Sequence, residues 1–234
     1  MSIDRGLRPH QVPGYEYAPP NLAVNPGFEI WQRGSGPFAS ATARIWGPDE
    51  WLVDVGEGGG GGQTLTCTKE TSEVLFGDSS AKLVYVDDGT DLQFSQVNEC
   101  VYSLLGKWVT FSCWVKCSVA DNVYVALSAW KQDTNSVSYI SEKHPGGGSW
   151  EHLTAYLQIP DAVADITSLA WGHVYPLLYG VFTEYGNSSS DTVYVDGASL
   201  VVGKYPEGVP FIPLDPSVDL NRCKRYYQTH ASFY

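Results

Sequence analysis

The sequence predicts an all-β protein, an antiparallel jelly-roll β-sandwich with an extended N-terminal arm and a short C-terminal helix. The composition is the first observation: charged residues make up only 17%, and 24 Gly, 15 Tyr and 8 Trp favour strands and turns. The second is a recurrence of short β-branched and aromatic runs bounded by turn residues. The third is length, because 234 residues suit one sandwich domain with tails.

Three regions follow one another along the chain. Residues 1–20 contain Pro, Gly and Tyr without periodicity, which predicts an arm that gains order on a neighbouring protein. Residues 21–206 are predicted to form the sandwich, and residues 207–234 a C-terminal segment with the helix. Within the sandwich, residues 21–32 are expected to lead through a Pro-Gly turn into a short strand. The glycine tract at residues 56–62 predicts a loop tip, because a strand pattern follows it and not the helix that a phosphate loop requires.

Eight further segments have the pattern of short strands, and no repeat of 20 to 50 residues is present. In one of them alternate residues share a face: Val109, Phe111, Cys113 and Val115. Aromatic residues occupy both of its faces, so this strand is predicted to be central and covered on both sides. The segments are AKLVYVDD, QFSQVNE, WVTFSCWVKCS, NVYVALSAWK, SVSYISEK, WEHLTAYLQIP, LAWGHVYPLLYG and DTVYVDGASLVVG.

Helical periodicity is confined to the segment SVDLNRCKRYYQTH near the C-terminus. Ser217 or Asp219 is expected to cap a short helix there. Its apolar stripe has spacings of three and four residues and consists of Leu220, Cys223, Tyr226 and Tyr227.

Charge and targeting signals narrow the function classes. The formal net charge is -12, with 26 acidic against 14 basic residues, which disfavours nucleic acid and anionic membranes as partners. No apolar run reaches the ~20 residues of a membrane span, and the first residues lack a secretory signal. The protein is therefore expected to be made in a cytoplasm. Its five cysteines are expected to be reduced and buried.

The sequence contains no constellation of catalytic residues. The five histidines fit no metal-ligand spacing, and no G-x-S-x-G motif occurs. A glycosidase needs two carboxylates about 5 to 9.5 Å apart, a separation that sequence does not give. We therefore expect a protein that is not an enzyme. The available carboxylates are Glu29, Asp49, Glu50, Asp54, Asp87 and Asp88.

Aromatic residues next to predicted loops are the candidate ligand contacts. Trp and Tyr combine a flat apolar face with a polar edge, which suits stacking on a sugar ring or a protein hot spot. The alternative is that most of them fill the core of an aromatic-rich sandwich. The candidates are Trp46, Trp130, Tyr139, Trp150, Tyr175, Tyr179 and Tyr185.

Six motifs, in order, resemble those of phage tail-fibre and virion appendage proteins. They cover nearly the whole chain beyond residue 20: NLAVNPGFEIWQRG, GPDEWLV, SLLGKWVTFSCWVK, GGSWEHLTAYLQIP, VYVDGASLVVGKYP and DLNRCKRYYQTH. That family is similar to galactose-binding-like carbohydrate-binding modules. The resemblance implies that the opening N-x-G-F-E segment and the late Y-V-D-G-x-x-L strand lie together.

The resemblance also implies a virion structural protein, either a capsid decoration or head fibre or a tail-fibre or appendage subunit. The acidic surface separately predicts that the isolated protein is monomeric or trimeric. As a virion protein, its partners would be other virion proteins and a host surface glycan. The alternatives are a stand-alone glycan-binding module and a polysaccharide-degrading glycosidase or lyase. No cofactor is expected except a structural calcium carried over onto Glu29 and Asp196. The alternative for these two carboxylates is that they accept loop amide hydrogens.

Overall fold

Two six-stranded antiparallel sheets form a β-sandwich in the computed structural model. The structure describes residues 19–41, 44–55, 62–86, 92–98, 101–130, 136–161, 177–183 and 190–227. The first sheet has the order β1 (Phe38–Ser40), β4 (Thr64–Glu70), β5 (Ser80–Val86), β12 (Ser190–Val202), β7 (Trp108–Lys116) and β10 (Trp150–Gln158). The second has the order β2 (Ile45–Trp46), β3 (Leu52–Val55), β6 (Leu92–Val97), β11 (Leu177–Thr183), β8 (Val123–Trp130) and β9 (Ser136–Ile140). The predicted all-β sandwich is confirmed.

In the described part of the chain, two short helices accompany the sheets. A 3-10 helix spans Val101–Leu104, and the helix α1 spans Pro216–Cys223. Among the described residues, no helix is long and apolar enough to cross a membrane.

An aromatic cluster fills the space between the two sheets. Trp51 is fully buried and stacks on Phe94 with ring centroids 5.0 Å apart, while Phe28 lies 4.9 Å from the Trp51 ring. The indole nitrogen of Trp51 donates to the carbonyl oxygen of Val24 at 3.1 Å, so its burial leaves no unpaired donor. Large apolar side chains of this kind each contribute about 1.5 to 3 kcal/mol on burial. The core therefore fixes residues before β1 against the second sheet.

Strand β7 is central and covered on both faces, as the sequence predicts. Phe111 and the three other residues that alternate with it are fully buried in the core. Thr110 and Ser112 on the opposite face are buried too, because residues 203–211 cross over them. The Thr110 hydroxyl donates to the Gly203 carbonyl at 2.8 Å, and the Ser112 hydroxyl donates to the Val209 carbonyl at 3.4 Å.

The opening segment differs from the prediction, because residues 21–32 contain no strand. Asn25 closes a turn with its side chain, accepting from the Ile30 nitrogen and donating to the Ile30 carbonyl, both at 2.9 Å. Its φ of 49° lies in the left-handed region that asparagine tolerates. An asparagine side chain that bonds nearby backbone groups competes with strand formation.

The opening segment and strand β12 lie together, as the resemblance implied. The Leu22 nitrogen donates to the Leu200 carbonyl at 2.7 Å, and the Ala198 nitrogen donates to the Pro26 carbonyl at 2.8 Å. The two segments are more than 170 residues apart in sequence, so these bonds join the opening segment to strand β12 near the other end of the chain.

The C-terminal helix begins earlier than predicted and has a different cap. Asp215 is the N-cap residue, and its carboxylate accepts from the Ser217 nitrogen at 2.9 Å. Pro216 occupies the first turn of the helix, where backbone N–H groups have no partner within the helix. The N–H that proline lacks therefore costs no hydrogen bond. The predicted caps, Ser217 and Asp219, therefore lie inside the helix, and Asp219 is buried. The helix ends at Cys223, so Tyr226 and Tyr227 of the predicted stripe follow it.

Four of the five cysteines are free and buried, as predicted: Cys67, Cys113, Cys117 and Cys223. Burial raises the pKa of the Cys117 thiol to about 12, which keeps it protonated and unreactive. Cys100, residues 1–18 of the predicted arm and residues 56–61 of the glycine tract lie outside the described residues.

Candidate functional site

Of the four aromatic candidates whose side chains the structure describes, two are well exposed. Trp46 is 44% exposed and Tyr139 is 41% exposed. Trp150 is half-buried at the start of β10. Tyr175, Tyr185 and the side chain of Trp130 lie outside what the structure describes.

Tyr179 is a core residue and presents no exposed ring on which a ligand could stack. It is 1% exposed and lies on β11, where it alternates with Leu177 and Val181 toward the core. The Tyr179 hydroxyl donates to the side-chain oxygen of Gln96, which satisfies it inside the protein. Tyr179 was expected next to a loop, but the strand has already begun two residues before it, at Leu177.

Trp46 and Tyr139 lie on opposite edges of the second sheet. Trp46 belongs to β2 and Tyr139 to β9, with four strands between them. Five strand spacings of about 4.8 Å put these edges roughly 24 Å apart. The two side chains therefore cannot stack on the same sugar ring.

Tyr139 is part of an aromatic group that joins the two sheets. Its ring stacks on Tyr156 of β10 with centroids 4.8 Å apart, and Trp108 of β7 lies 6.1 Å from Tyr156. The ammonium nitrogen of Lys204 lies 4.4 Å from the Trp108 centroid and 4.9 Å from the Tyr156 centroid, within the range of cation–π attraction. We call these four residues the aromatic edge. Only Tyr139 of the four was predicted.

The arrangement holds the exposed ring of Tyr139 in one orientation. Offset aromatic pairs contribute about 0.5 to 1.5 kcal/mol beyond the area that they bury. The hydrogen bond to Tyr156 and its nearby hydroxyl raise the pKa of Tyr139 above its usual value. The Tyr139 hydroxyl therefore stays protonated in neutral solution and remains a hydrogen-bond donor.

A cleft of about 540 Å³ adjoins Tyr139. Its volume lies in the range of small-molecule sites, about 300 to 1,000 Å³. Hydroxyl, carboxylate and ammonium groups line it beside the aromatic ring, a mixture that matches the apolar faces and hydroxyl edges of a sugar. The lining residues are Asp121, Ser138, Tyr139, Ile140, Ser141, Glu142 and Lys143.

Trp108 and Tyr156 were not predicted as ligand contacts, although the strand pattern indicates which faces they occupy. Alternation in β7 and β10 puts Trp108 and Tyr156 on the faces that point away from the core. The register pairs Gln158 with Trp108, which makes Tyr156 the diagonal neighbour of Trp108. That register depends on which strands pair, and the sequence does not specify the pairing.

The two candidate calcium ligands hold the same loop, residues 71–79. One carboxylate oxygen of Asp196 accepts from the nitrogens of Leu75 and Phe76, both at 2.9 Å. One oxygen of Glu29 accepts from the nitrogens of Asp78 and Ser79, at 2.6 and 3.2 Å. The alternative for these residues, acceptance of loop amide hydrogens, is what the structure shows.

This donor set does not suit calcium. The remaining Asp196 oxygen accepts from the Gly197 nitrogen at 2.7 Å. The remaining Glu29 oxygen lies 3.1 Å from the Ser79 hydroxyl, whose single hydrogen is shared with the Phe28 carbonyl oxygen at 2.9 Å. Three of the four carboxylate oxygens thus face amide hydrogens where a cation would have to approach. Within the described ranges, no cluster of three or more His, Cys, Asp or Glu side chains could hold a metal ion. Burial, with a smaller contribution from nearby Glu29, raises the pKa of Asp196 to about 6.

No protein-family model matches the chain, and no curated protein is similar to it in sequence. Its structure is similar to the CBM22-1 xylan-binding domain of Paenibacillus barcinonensis Xyn10C, with a TM-score of 0.51 and 11% identity, covering 80% of this chain and 97% of that one. It is also similar to the CBM22-1-GH10 modules of Clostridium thermocellum Xyn10B complexed with xylohexaose, with a TM-score of 0.50 and 11% identity, covering 78% of this chain and 28% of that one.

A third similar structure is the enzymatically active domain of bacteriophage CBA120 tailspike protein 4. The TM-score is 0.47 at 14% identity, and the match covers 78% of this chain but 21% of the tailspike chain. At such identities a likeness in structure establishes the fold alone. The chain has the β-sandwich fold of carbohydrate-binding modules.

Proposed function

We propose that this protein binds a glycan at the aromatic edge and the adjoining cleft, without chemical turnover. The observation that carries the proposal is the exposed ring of Tyr139, which is stacked on Tyr156 and borders a cleft with polar walls. A ring already held in place loses little conformational entropy when a sugar stacks on it.

The fold supports the same proposal. Proteins with this sandwich include a module named a xylan-binding domain and a pair of CBM22-1-GH10 modules solved with xylohexaose. A shared fold does not define a ligand, so the choice of glycan rests on the site itself. The aromatic edge supplies stacking, and the Glu142 carboxylate in the cleft lining can accept from sugar hydroxyl groups.

We propose no chemical turnover, because the buried carboxylates accept hydrogen bonds from the protein's own backbone. A glycosidase needs two converging carboxylates of which one has a raised pKa. Asp196 has such a pKa and lies near Glu29, but Asp196 is 0% exposed and bonded to three amide groups. A substrate has no access to it.

The test is a binding measurement with two matched variants. We expect purified host-surface polysaccharides or xylan oligosaccharides to bind the wild-type protein by isothermal titration calorimetry. Tyr139→Ala should weaken binding about tenfold, which corresponds to about 1.4 kcal/mol. Trp46→Ala removes an equally exposed aromatic side chain on the opposite edge and should leave affinity unchanged. Equal affinities of wild type and Tyr139→Ala would contradict the site.

We further propose that this glycan-binding protein is carried on a bacteriophage virion, as a capsid decoration or head fibre or as a tail-fibre or appendage subunit. Six motifs that resemble virion appendage proteins support this, and host adhesion is the role that glycan binding would serve. Cryo-electron microscopy of purified particles tests it. Density for the chain on capsid or tail is expected, whereas its absence from every particle would favour a stand-alone glycan-binding module.

A further inference from the structure

The imidazole of His152 lies beneath a segment that crosses the outer face of the first sheet. His152 belongs to β10, and its ring stacks on Trp114 of β7 with centroids 5.0 Å apart. Residues 203–211, which we call the strap, cross both strands here. Gly208 of the strap has a φ of 77°, and a Cβ atom on it would lie 2.5 Å from the Cε1 atom of His152. Only glycine suits this close approach, and the strap closes one side of the imidazole to water.

The Nε2 atom of His152 is buried, and none of the described residues forms a hydrogen bond with it. A neutral imidazole tolerates this position, because one of its two nitrogens carries no hydrogen. An imidazolium carries a hydrogen on both nitrogens, so protonation would bury a charged donor without an acceptor. The ring of Trp114 attracts a cation, but its face supplies no acceptor for the buried N–H. The closed strap is therefore compatible with the neutral form of His152 and not with the charged form.

The charged groups around His152 do not compensate for a positive charge on its ring. Burial lowers the pKa of His152 below its usual value, and no charged group among the described residues contributes to this shift. The Lys116 ammonium lies 2.6 Å from a carboxylate oxygen of Glu73, and the Lys204 ammonium lies over the Trp108 ring. The charged residues on β7, β10, the loop 71–79 and the strap are Glu73, Asp78, Lys116, Glu151, Lys204 and Glu207.

The strap is held to the sheet by few hydrogen bonds. At its start, the Thr110 hydroxyl donates to the Gly203 carbonyl at 2.8 Å and accepts from the Tyr205 nitrogen at 3.0 Å. Further along, the Ser112 hydroxyl donates to the Val209 carbonyl and accepts from the Val209 nitrogen, both at a long 3.4 Å. The strap lies outside the core between the sheets, and several of its side chains are exposed. A segment with so few attachments opens at a lower free energy than the strands beneath it.

We propose that the strap is a pH-sensitive lid, which protonation of His152 in acidic solution releases from the outer face of β7 and β10. Release would let water accept from the Nε2–H group and would uncover Trp114 and the buried hydroxyl of Ser112. The closed strap has its full stability above about pH 6.5, where a histidine in contact with water is neutral, and loses stability as the pH falls below that value. This inference does not depend on glycan binding.

Hydrogen–deuterium exchange of the full chain at pH 8 and pH 5 tests the proposal. Each rate is corrected for the pH dependence of exchange in an unstructured peptide. Protection of the Tyr205 and Val209 amides should fall about threefold or more at pH 5, because proton uptake favours the open strap. The amides of β11 and β12 should keep their protection. His152→Phe keeps an aromatic ring on Trp114 but takes up no proton, so its strap should be equally protected at both pH values.

Three results would overturn the proposal. The first is equal protection of the strap at both pH values in the wild type. The second is a loss of protection in His152→Phe as large as in the wild type, since another group would then carry the titration. The third is an equal loss in β11 and β12, which would show unfolding of the whole sandwich. His152→Gln replaces the ring by a neutral polar group and provides the same comparison if the Phe variant does not fold.

Asp196 is the described group that needs a separate control. It titrates near pH 6 and holds the loop 71–79, whose Phe76 packs on Phe211 of the strap with ring centroids 4.9 Å apart. Asp196→Asn removes this titration and should retain the loss of strap protection at pH 5. Disappearance of that loss in Asp196→Asn would assign the pH response to the loop and contradict the role of His152.

Discussion

The ring of Tyr139 stacks on the ring of Tyr156 with centroids 4.8 Å and planes 26° apart, although the two residues belong to different sheets. Strands β9 and β10 are the edge strands of their sheets, so this contact closes one side of the sandwich. It also fixes an exposed ring that would otherwise rotate freely at an edge. The same contact therefore serves the fold and the proposed glycan site.

Removing the support should weaken glycan binding even though Tyr139 is intact. We expect Tyr156→Ala to lower affinity about as much as Tyr139→Ala, because an unsupported Tyr139 ring must lose rotamer freedom on binding, at about 0.5 to 1.5 kcal/mol. Tyr156→Phe keeps the stack and should keep most of the affinity. It should also move the pKa of Tyr139 back toward its usual value, because the hydrogen bond to Tyr156 is the main cause of the rise. Ultraviolet titration of the phenol measures that pKa, and an unchanged value would show that the bond is not formed in solution.

The buried carboxyl of Asp196 should make stability fall as pH rises. Burial raises the pKa of Asp196 in the folded protein to about 6, whereas an unfolded Asp titrates near 3.9. Between these two values the folded state binds more protons than the unfolded state, so raising the pH favours unfolding. The contribution is present below about pH 4 and is lost by about pH 7, and its size is on the order of 3 kcal/mol.

The variant Asp196→Asn isolates this contribution from those of other groups. Asp191, for example, has a lowered pKa because the amide and hydroxyl donors around it outweigh its burial. The stability that Asp191 contributes to the folded protein is therefore lost as pH falls. We expect urea denaturation to show that wild type loses stability relative to Asp196→Asn between pH 4.5 and 7. A difference in unfolding free energy that stays constant over this range would show that Asp196 titrates normally.

The strand pattern was predictable because the physics behind it is local. Val109 and Phe111 alternate with residues of the other face at the two-residue period of a strand, and the structure buries both completely. The error at residues 21–32 has an equally local cause. Asn25 bonds Ile30 through its side chain, an option that a pattern of apolar residues does not reveal.

The candidate site was predictable only in part, because it depends on which strands pair. Tyr139 stood beside a predicted loop, and the structure leaves it exposed, whereas its role as a ligand contact stays a prediction. Tyr156 and Trp108 join it through the β7–β10 register and through contact between the edges of two sheets. Tyr179 was also placed next to a predicted loop, but it lies on a buried face of β11. Whether each tyrosine lies at an exposed edge or on a buried face depends on which distant strands pair. No single segment of the sequence encodes that pairing.

Calcium should not stabilise the protein. The oxygens of Glu29 and Asp196 already accept from loop amides, so binding a cation there would break several hydrogen bonds. We expect the melting temperature to agree within about 1 °C between 5 mM calcium and excess chelator, since no linkage term is present. A rise of several degrees with calcium would show that the loop rearranges to bind the ion. Glu29→Ala provides the control, because it should lower the melting temperature equally in both conditions.

Two deletions from the N-terminus should distinguish the residues of the arm from the first residues of the sandwich. The side chain of Asn21 donates to the Ala198 carbonyl and accepts from the Leu200 nitrogen, both at 2.9 Å, and Val24 exchanges two bonds with Gln96. A chain without residues 1–20 keeps all of these bonds and should melt within about 2 °C of the full chain. A chain without residues 1–24 loses them and should melt roughly 10 °C lower, since four hydrogen bonds contribute about 2 to 6 kcal/mol. If the arm docks on a virion, the shorter deletion should abolish incorporation into particles while leaving the melting temperature intact. Loss of folding on removal of residues 1–20 would instead show that the arm belongs to the sandwich.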